Sequence, residues 1–160
     1  DIDRVRKLFA RESKDFLQKY FKKELFFTDV EGKTKDEVLK NLCRKVEQEK
    51  GLPETFTASV LKREELTPTD YGNLVALPHP ERAFQERAFV AVAVLKEPVF
   101  WFRQKVQVVF LTAIGREEDE NLQQFYEATT DLILRPADVQ NLIRHPDYDR
   151  LIQLLRRAEE

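Results

Sequence analysis

Two apolar runs in the middle of the chain, Ala88 to Leu95 and Val106 to Ile114, constrain its fold most strongly. Both are rich in valine or aromatic residues, which favour strands. The positions between the alternating valines are also apolar or small, a pattern typical of strands that are covered on both faces. Because helical patterns precede and follow this region, the sequence predicts a central sheet between two layers of helices.

Helical patterns and short strand candidates surround these runs. Residues 3 to 23 carry apolar side chains at helical spacing. Thr34 and Glu37 form a Thr-x-x-Glu pattern, which is typical of a capping box and predicts a helix that ends at Gly51. The other predicted helices are Pro53 to about Lys62, a stripe between Leu122 and Ile133, a short helix from Pro136, and Asp147 to Arg157. The other predicted strands are Leu25 to Val30, Leu74 to Leu77 and Val99 to Phe102.

The overall composition is that of an ordinary soluble globular domain. The chain has 160 residues, 42% of them hydrophobic and 35% charged, with a formal net charge of -2. This balance provides no general positive field for nucleic acid, and both apolar runs are too short to cross a bilayer as helices. No signal peptide is visible, and the single cysteine, Cys43, cannot form an internal disulfide. We therefore expect a cytoplasmic location, no membrane insertion and no direct contact of this domain with nucleic acid.

The first 24 residues are locally basic, with eight Lys or Arg against five Asp or Glu. We interpret this segment as the solvated face of a connecting helix. A contact surface for a preceding domain or for nucleic acid is the alternative. Since the chain starts at Asp1 and contains no methionine, we expect a piece of a longer protein, with a linker helix over residues 1–24 and the domain itself over residues 25–160.

Few side chains can act as nucleophiles or bind a metal ion. The two histidines, His79 and His145, are 66 positions apart, and no cluster of His, Cys and Asp has zinc spacing. The sequence contains no P-loop, no Gly-x-Gly-x-x-Gly and no Gly-x-Ser-x-Gly motif. His145 is followed by proline at a predicted helix end, where a capping role is expected. We therefore expect no metal ion and no cofactor.

His79 has a distinctive local context. It follows the predicted strand Leu74 to Leu77 and lies between Pro78 and Pro80. Proline fixes its own backbone angle and disfavours helix for the residue before it, so Leu77 and His79 are expected to be extended. A stiffly placed histidine at the end of a buried strand suits a nucleophile. A structural histidine accounts for the same pattern.

The residues around His79 resemble a family signature. The matching segments are Arg63-Glu64-Glu65, Thr69, Gly72-Asn73 and Ala76-Leu77-Pro78-His79-Pro80. They resemble the region of the phosphorylated histidine in type-2 enzyme IIA domains, the fructose and mannitol type, of the bacterial sugar phosphotransferase system (PTS). Pro98 to Trp101 followed by Val106 to Ala113 is similar to a second block of that family. The resemblance covers about residues 25 to 157 and implies an α+β fold, a three-layer α/β/α sandwich with a mixed central sheet of about five strands.

The resemblance implies that His79 accepts a phosphoryl group from the phosphocarrier protein HPr and passes it to a cysteine or histidine of an enzyme IIB partner. In that family the attacking nitrogen is Nε2. Imidazole titrates near neutral pH, so much of it is neutral and nucleophilic in a cell. Its other nitrogen can donate to a carbonyl and so fix the tautomer. The protein then supplies mainly placement and charge stabilisation.

Three further residues are implied to assist. Arg63 matches an arginine near the phosphoryl site, where a guanidinium can bind two oxygens, although a helix-end arginine paired with a neighbouring glutamate is the alternative. Thr69 matches a threonine that either donates a hydrogen bond or shapes the turn. Asn121 stands where many members have a second histidine. Asparagine can donate to a phosphoryl oxygen but cannot become a cation, which would reduce electrostatic stabilisation.

The position of Leu74 is often glycine in transport-type domains. The segment from Gly72 to Pro80 is more similar to enzyme IIA domains at the C-terminus of BglG-type transcription regulators and antiterminators. We therefore expect a regulatory phosphotransferase-type domain whose partners are HPr and an enzyme IIB domain or preceding regulatory domains of the same chain. The alternatives are a transport-type enzyme IIA that serves a sugar permease and an interaction module that is not phosphorylated.

Overall fold

A computed structural model describes residues 1–5 and 17–157 of the chain. Within these residues the strands are β1 Phe21–Phe27, β2 Asp70–Gly72, β3 Val75–Ala76, β4 Phe89–Phe100 and β5 Lys105–Ala113. The longer helices are α1 Lys35–Lys50, α2 Thr55–Leu66, α3 Leu122–Ile133, α4 Pro136–Arg144 and α5 Tyr148–Arg157. Residues 2–5 and 17–20 are also helical. Every helix of this described part falls short of the length or the apolar character that crossing a lipid bilayer requires.

The described strands form one mixed sheet in the order β1-β4-β5-β3-β2. The long antiparallel hairpin of β4 and β5 occupies its centre, β1 pairs in parallel with β4, and β3 pairs in parallel with β5. Because β3 and β5 are parallel, their carboxyl ends lie at the same edge of the sheet. The predicted α+β fold with a mixed sheet of about five strands is confirmed.

Helices cover both faces of the sheet. Val90, Val92 and Val94 of β4 belong to a buried cluster with residues of α3, α4 and α5. Ala91 and Ala93 belong to a second buried cluster with residues of α1 and α2. Alternate positions of a strand point to opposite faces, so burial on both sides explains why neither set of positions is polar.

The predicted capping box opens α1. The Thr34 side-chain oxygen accepts a hydrogen bond from Glu37 N (3.2 Å), and a Glu37 carboxylate oxygen accepts one from Lys33 N (2.8 Å). Gly51 ends the helix in the left-handed conformation, with φ 65°. Cys43 is a buried core residue of this helix, and burial raises the pKa of its thiol.

Strand β1 begins at Phe21, inside the predicted helix of residues 3 to 23 and four residues before the predicted strand. Tyr20, Phe21 and Leu25 are all buried, so this part of the chain contributes to the core. The boundary expected between residues 24 and 25 therefore falls within β1. Residues 6–16 of the predicted linker helix lie outside the described residues.

Two other elements differ from the sequence prediction. The segment Val99 to Phe102 is not a separate strand, because its first two residues continue β4 after a register shift between Val94 and Val99. Strand β2 was not predicted, since it has only three residues and ends in glycine. Short strands of this kind depend on their neighbours rather than on local pattern.

Gly115 lies where the chain leaves β5 and passes the segment that leads into β4. Arg116 N donates to Gln85 O (3.0 Å) and Glu117 N donates to Glu86 O (2.9 Å), which continues the antiparallel contact of the hairpin. A Cβ atom on Gly115 would lie 2.3 Å from the Glu86 carbonyl oxygen. Only glycine permits this close approach of two backbone segments.

Replacing Gly115 by alanine is expected to lower the free energy of unfolding by about 3 kcal/mol, because two backbone segments must move apart. Urea denaturation would measure the change. Gly51→Ala is the matched control, since φ is 65° there but no other atom lies within 4 Å of the added Cβ. That variant should lose about 1 kcal/mol, from the left-handed backbone alone. Equal losses in the two variants would contradict the steric explanation.

Candidate functional site

His79 lies at the carboxyl end of β3, where the chain is held from two sides. Thr112 N of β5 donates to Pro78 O (3.0 Å), and Leu77 N donates to Thr69 O (3.1 Å). Pro78 and Pro80 are buried, whereas His79 between them is half-buried. The two prolines and the two hydrogen bonds therefore fix the backbone around a histidine that solvent can still reach.

The His79 ring has a defined hydrogen-bond arrangement. Its Nδ1 lies 3.2 Å from the Leu77 carbonyl oxygen, which can only accept a hydrogen bond. The neutral ring therefore carries its hydrogen on Nδ1 and keeps a lone pair on Nε2. No hydrogen bond to Nε2 occurs among the described residues. This tautomer is the one in which Nε2 can act as a nucleophile.

A cavity of about 560 Å³ opens beside the His79 ring, between the ends of β3 and β5 and one side of α3. Its other lining residues are Tyr71, Leu77, Thr112, Ile114, Phe125, Tyr126, Thr129, Thr130, Ile133 and Leu134. The hydroxyls of Thr129 and Thr130 donate to carbonyls of the preceding helical turn, which leaves mainly methyl and aromatic groups toward the cavity. The wall beside the ring is thus largely apolar.

Four apolar side chains at the rim of this cavity are unusually exposed. Their exposed fractions are 63% for Tyr71, 45% for Ile114, 39% for Tyr126 and 71% for Leu134. Burial of the phenol raises the pKa of Tyr126, so this side chain stays neutral at physiological pH. An exposed apolar patch of this kind is typical of a surface that contacts another macromolecule. We refer to these four residues as the apolar rim.

The turn before β3 has a strained backbone. Gly72, Asn73 and Leu74 have φ values of 107°, 53° and 68°. A leucine rarely adopts this left-handed conformation, and glycine would do so without steric cost. Leu74 O accepts hydrogen bonds from two backbone N–H groups of β5, and the Asn73 side chain donates to Ile133 O (2.6 Å). The turn is therefore held between β5 and the last residue of α3.

Arg63 lies in the last turn of α2 and is half-buried. Its Nη1 donates to Thr67 O (3.0 Å), at the end of the helix. Neither Glu64 nor Glu65 forms an ion pair with it in the described part of the chain, so the pairing alternative for Arg63 is not what the structure shows. Arg63 does not line the cavity beside His79. A guanidinium has five N–H groups, so others remain available for an anion.

Thr69 and Asn121 differ in their surroundings. Thr69 is 1% exposed, and its hydroxyl lies within hydrogen-bond distance of both Glu64 carboxylate oxygens (3.0 and 2.9 Å). Its single hydroxyl hydrogen is thus engaged inside the protein, as the turn-shaping alternative requires. Asn121 is the half-buried N-cap residue of α3, its backbone N donates to Asp119 Oδ1 (3.0 Å), and its side chain makes no capping bond. Neither residue lines the cavity.

The cavity and the apolar rim were not predicted from the sequence. Four separate segments of the chain supply the lining, so no local motif contains it. One signal was available, because Tyr126 follows Phe125 of the predicted apolar stripe and adds an aromatic side chain outside it. His145, the other histidine, is exposed at the end of α4, where its backbone N donates to Asn141 O (2.9 Å). Within residues 1–5 and 17–157, no three His, Cys, Asp or Glu side chains are grouped as metal ligands would be.

Comparison with curated proteins identifies relatives among bacterial regulators. The probable licABCH operon regulator of Bacillus subtilis (strain 168) is 34% identical over 151 residues, which are 94% of this chain and 23% of that protein. The transcriptional regulator ManR of the same strain is 27% identical over 120 residues, 75% of this chain and 18% of that protein. The chain thus spans only 23% and 18% of the lengths of these two relatives.

A solved structure shares the fold. In the complex of enzyme IIA mannitol with phosphorylated enzyme IIB mannitol from Escherichia coli, the matching chain has a TM-score of 0.68 and 19% sequence identity. The match covers 84% of this chain and 97% of that chain. Residues 19–158 match the family described as "Phosphoenolpyruvate-dependent sugar phosphotransferase system, EIIA 2". The chain therefore belongs to the type-2 EIIA family of the phosphoenolpyruvate-dependent sugar phosphotransferase system.

Proposed function

We propose that this EIIA domain carries a phosphoryl group on Nε2 of His79, receives it from phosphorylated HPr, and thereby reports sugar supply to a cytoplasmic transcription regulator or antiterminator. The observation that supports this most directly is the hydrogen bond from His79 Nδ1 to Leu77 O, which leaves Nε2 with its lone pair. The exposed apolar rim beside the ring offers a contact surface for a protein donor.

The transfer step is a displacement at phosphorus. The Nε2 lone pair of His79 forms a bond to phosphorus while the bond between phosphorus and the donor's histidine nitrogen breaks, and that nitrogen retains the electron pair. Nδ1 keeps its proton throughout, and the Leu77 carbonyl stabilises the positive charge that develops on the ring. Since the transition state is loose, placement and charge stabilisation supply most of the catalysis.

We further propose roles for three other residues. Arg63 uses one N–H on the Thr67 carbonyl, and its remaining N–H groups would bind phosphoryl oxygens once the side chain moves toward His79. Asn121 would contribute a neutral donor from the start of α3. Thr69 acts indirectly, because its hydroxyl is occupied by Glu64 and its carbonyl holds Leu77 N.

The proposed regulatory role rests on the charge that phosphorylation would place beside an apolar surface. Phosphorylation adds about 1.5 to 2 negative charges at pH 7. Placed beside Tyr71, Ile114, Tyr126 and Leu134, this charge opposes docking of an apolar partner surface, since the phosphoryl group would lose its water. The partners would be HPr and an enzyme IIB domain or regulatory domains of the same chain. Two relatives named as regulators favour this role.

A transport-type enzyme IIA is the second candidate. It rests on the fold shared with enzyme IIA mannitol, a protein solved in complex with phosphorylated enzyme IIB mannitol. Such a domain would pass its phosphoryl group from His79 to the enzyme IIB of a sugar permease. A module without phosphorylation is the least favoured alternative, because it gives no reason for an available Nε2 between two buried prolines.

Replacing His79 by alanine is expected to abolish phosphorylation. The domain would be incubated with radiolabelled phosphoenolpyruvate, enzyme I and HPr, and the protein-bound label measured. His145→Ala is the control, since that histidine is exposed at the end of α4 and should leave labelling unchanged. Equal labelling of wild type and His79→Ala would show that the phosphoryl group is carried elsewhere.

Replacing Asn121 by histidine is expected to raise the rate of phosphoryl transfer to His79 by about tenfold, because a histidine can become a cation near the transferring group. The gain should grow as the pH falls from roughly 8 to roughly 6, where imidazole acquires its proton. Rapid-quench measurement of labelled domain would give the rates. Asn121→Gln, which stays neutral, is the control, and identical pH profiles for the two variants would argue against any electrostatic role of this position.

A further inference from the structure

Glu64 is a buried carboxylate in the last turn of α2, with 1% of its surface exposed. It belongs to no ion pair in the described part of the chain. Burying an acidic group in this way is costly unless hydrogen bonds compensate. Glu64 therefore needs several donors around it, and its neighbours supply them.

Three donors from two other segments point at the Glu64 carboxylate. Oε1 accepts from Thr69 N (2.8 Å) and from the Trp101 indole Nε1 (2.7 Å), and the Thr69 hydroxyl lies 2.9 Å from Oε2. Both Trp101 and Thr69 are buried. The carboxylate thus joins the end of α2 to the residue before β2 and to the turn between β4 and β5.

A neighbouring carboxylate strengthens the same junction. Asp70 is 7% exposed and follows Thr69 directly. Its Oδ2 accepts backbone hydrogen bonds from Phe102 (3.3 Å), Arg103 (2.7 Å) and Gln104 (3.1 Å). The turn between β4 and β5 is therefore fastened to the Thr69 segment by two acidic side chains, and Thr69 has little freedom to move.

A short chain of hydrogen bonds leads from Glu64 to the reactive ring. Thr69 donates its backbone N–H to Glu64, and its carbonyl accepts from Leu77 N (3.1 Å). The Leu77 carbonyl then receives the hydrogen of His79 Nδ1 (3.2 Å). Two residues, Thr69 and Leu77, thus separate the buried carboxylate from the imidazole, and the Thr69 hydroxyl adds a second contact to the first link.

We propose that Glu64 is a positioning residue for His79. By fixing Thr69 it fixes the Leu77 carbonyl, which holds the hydrogen on Nδ1 and so keeps Nε2 as the nucleophile. The same anchor sets the orientation of the last turn of α2, on which Arg63 lies. This inference rests on the proposed phosphorylation of His79, but the tautomer itself can be observed without any phosphoryl transfer.

The test compares four proteins: wild type, Glu64→Leu, Glu64→Gln and Tyr148→Phe. Glu64→Leu removes the acceptors, and Glu64→Gln keeps an acceptor oxygen for Thr69 N and Trp101. Tyr148→Phe is the matched control, because it deletes a hydrogen bond to Phe21 O (2.5 Å) in the other helix layer. Nitrogen-15 chemical shifts of the His79 ring would report its tautomer, and single-turnover labelling from phosphorylated HPr would report the rate.

Glu64→Leu should shift the ring toward a mixture of tautomers and slow phosphorylation by about tenfold or more, since the nucleophile is misplaced for part of the time. Glu64→Gln should stay within about threefold of wild type, which a conservative rescue requires. Tyr148→Phe should keep the wild-type tautomer and rate even if its stability falls. A wild-type tautomer and rate in folded Glu64→Leu would overturn the proposal.

If Glu64→Leu does not fold, Thr69→Val replaces it, because valine removes the hydroxyl that holds Glu64 Oε2 and so weakens the hold of the carboxylate on the Thr69 backbone. Thr69→Val should also shift the His79 ring toward a mixture of tautomers, and an unchanged tautomer in that variant would overturn the proposal. If wild type accepts no phosphoryl group at all, the proposed function fails. The nitrogen-15 shifts still decide whether Glu64 determines the tautomer of the His79 ring.

Discussion

The placement of the His79 imidazole depends on a very short parallel contact. Val75 and Ala76 are the whole of β3, and they pair with Val108 and Val109 of β5. Two residues supply few ladder hydrogen bonds, so the surroundings must hold the register. The hydrogen bond from Thr112 N to Pro78 O holds the chain after β3, and the left-handed turn at residues 72–74 holds it before β3. A slip by one residue would turn every side chain of the segment to the opposite face and remove the carbonyl that orients His79.

The architecture could be predicted where local pattern and burial agree. Thr34, Glu37 and Gly51 specify the ends of α1 by their own side chains or backbone freedom, and Pro136 opens α4 as its position in the sequence indicates. Apolar residues on both sides of β4 required helices on both faces. The start of β1 could not be predicted, because Lys22, Lys23 and Glu24 are exposed on that strand and break the alternation expected there.

The site was predicted less completely than the fold, for a physical reason. The prolines around His79 act on the backbone locally, so a restricted backbone directly after a strand could be inferred from sequence. The partners of Arg63 and Thr69 are decided by tertiary neighbours, namely the Thr67 carbonyl and the Glu64 carboxylate. Local sequence therefore does not decide between the alternatives for either residue, and in the structure Thr69 is buried against Glu64.

The exposed charges of β1 have a consequence for the behaviour of the protein in concentrated solution. β1 lies at one edge of the sheet, and within the described residues β4 is its sole strand partner. An open edge of this kind is a template on which a strand of another molecule can add, the first step toward aggregation. The exposed Lys22, Lys23 and Glu24 side chains of β1 keep that edge hydrated, and charged side chains on an edge strand disfavour pairing with another chain. The polar stretch that obscured the strand in the sequence thus protects the folded domain from intermolecular sheet growth.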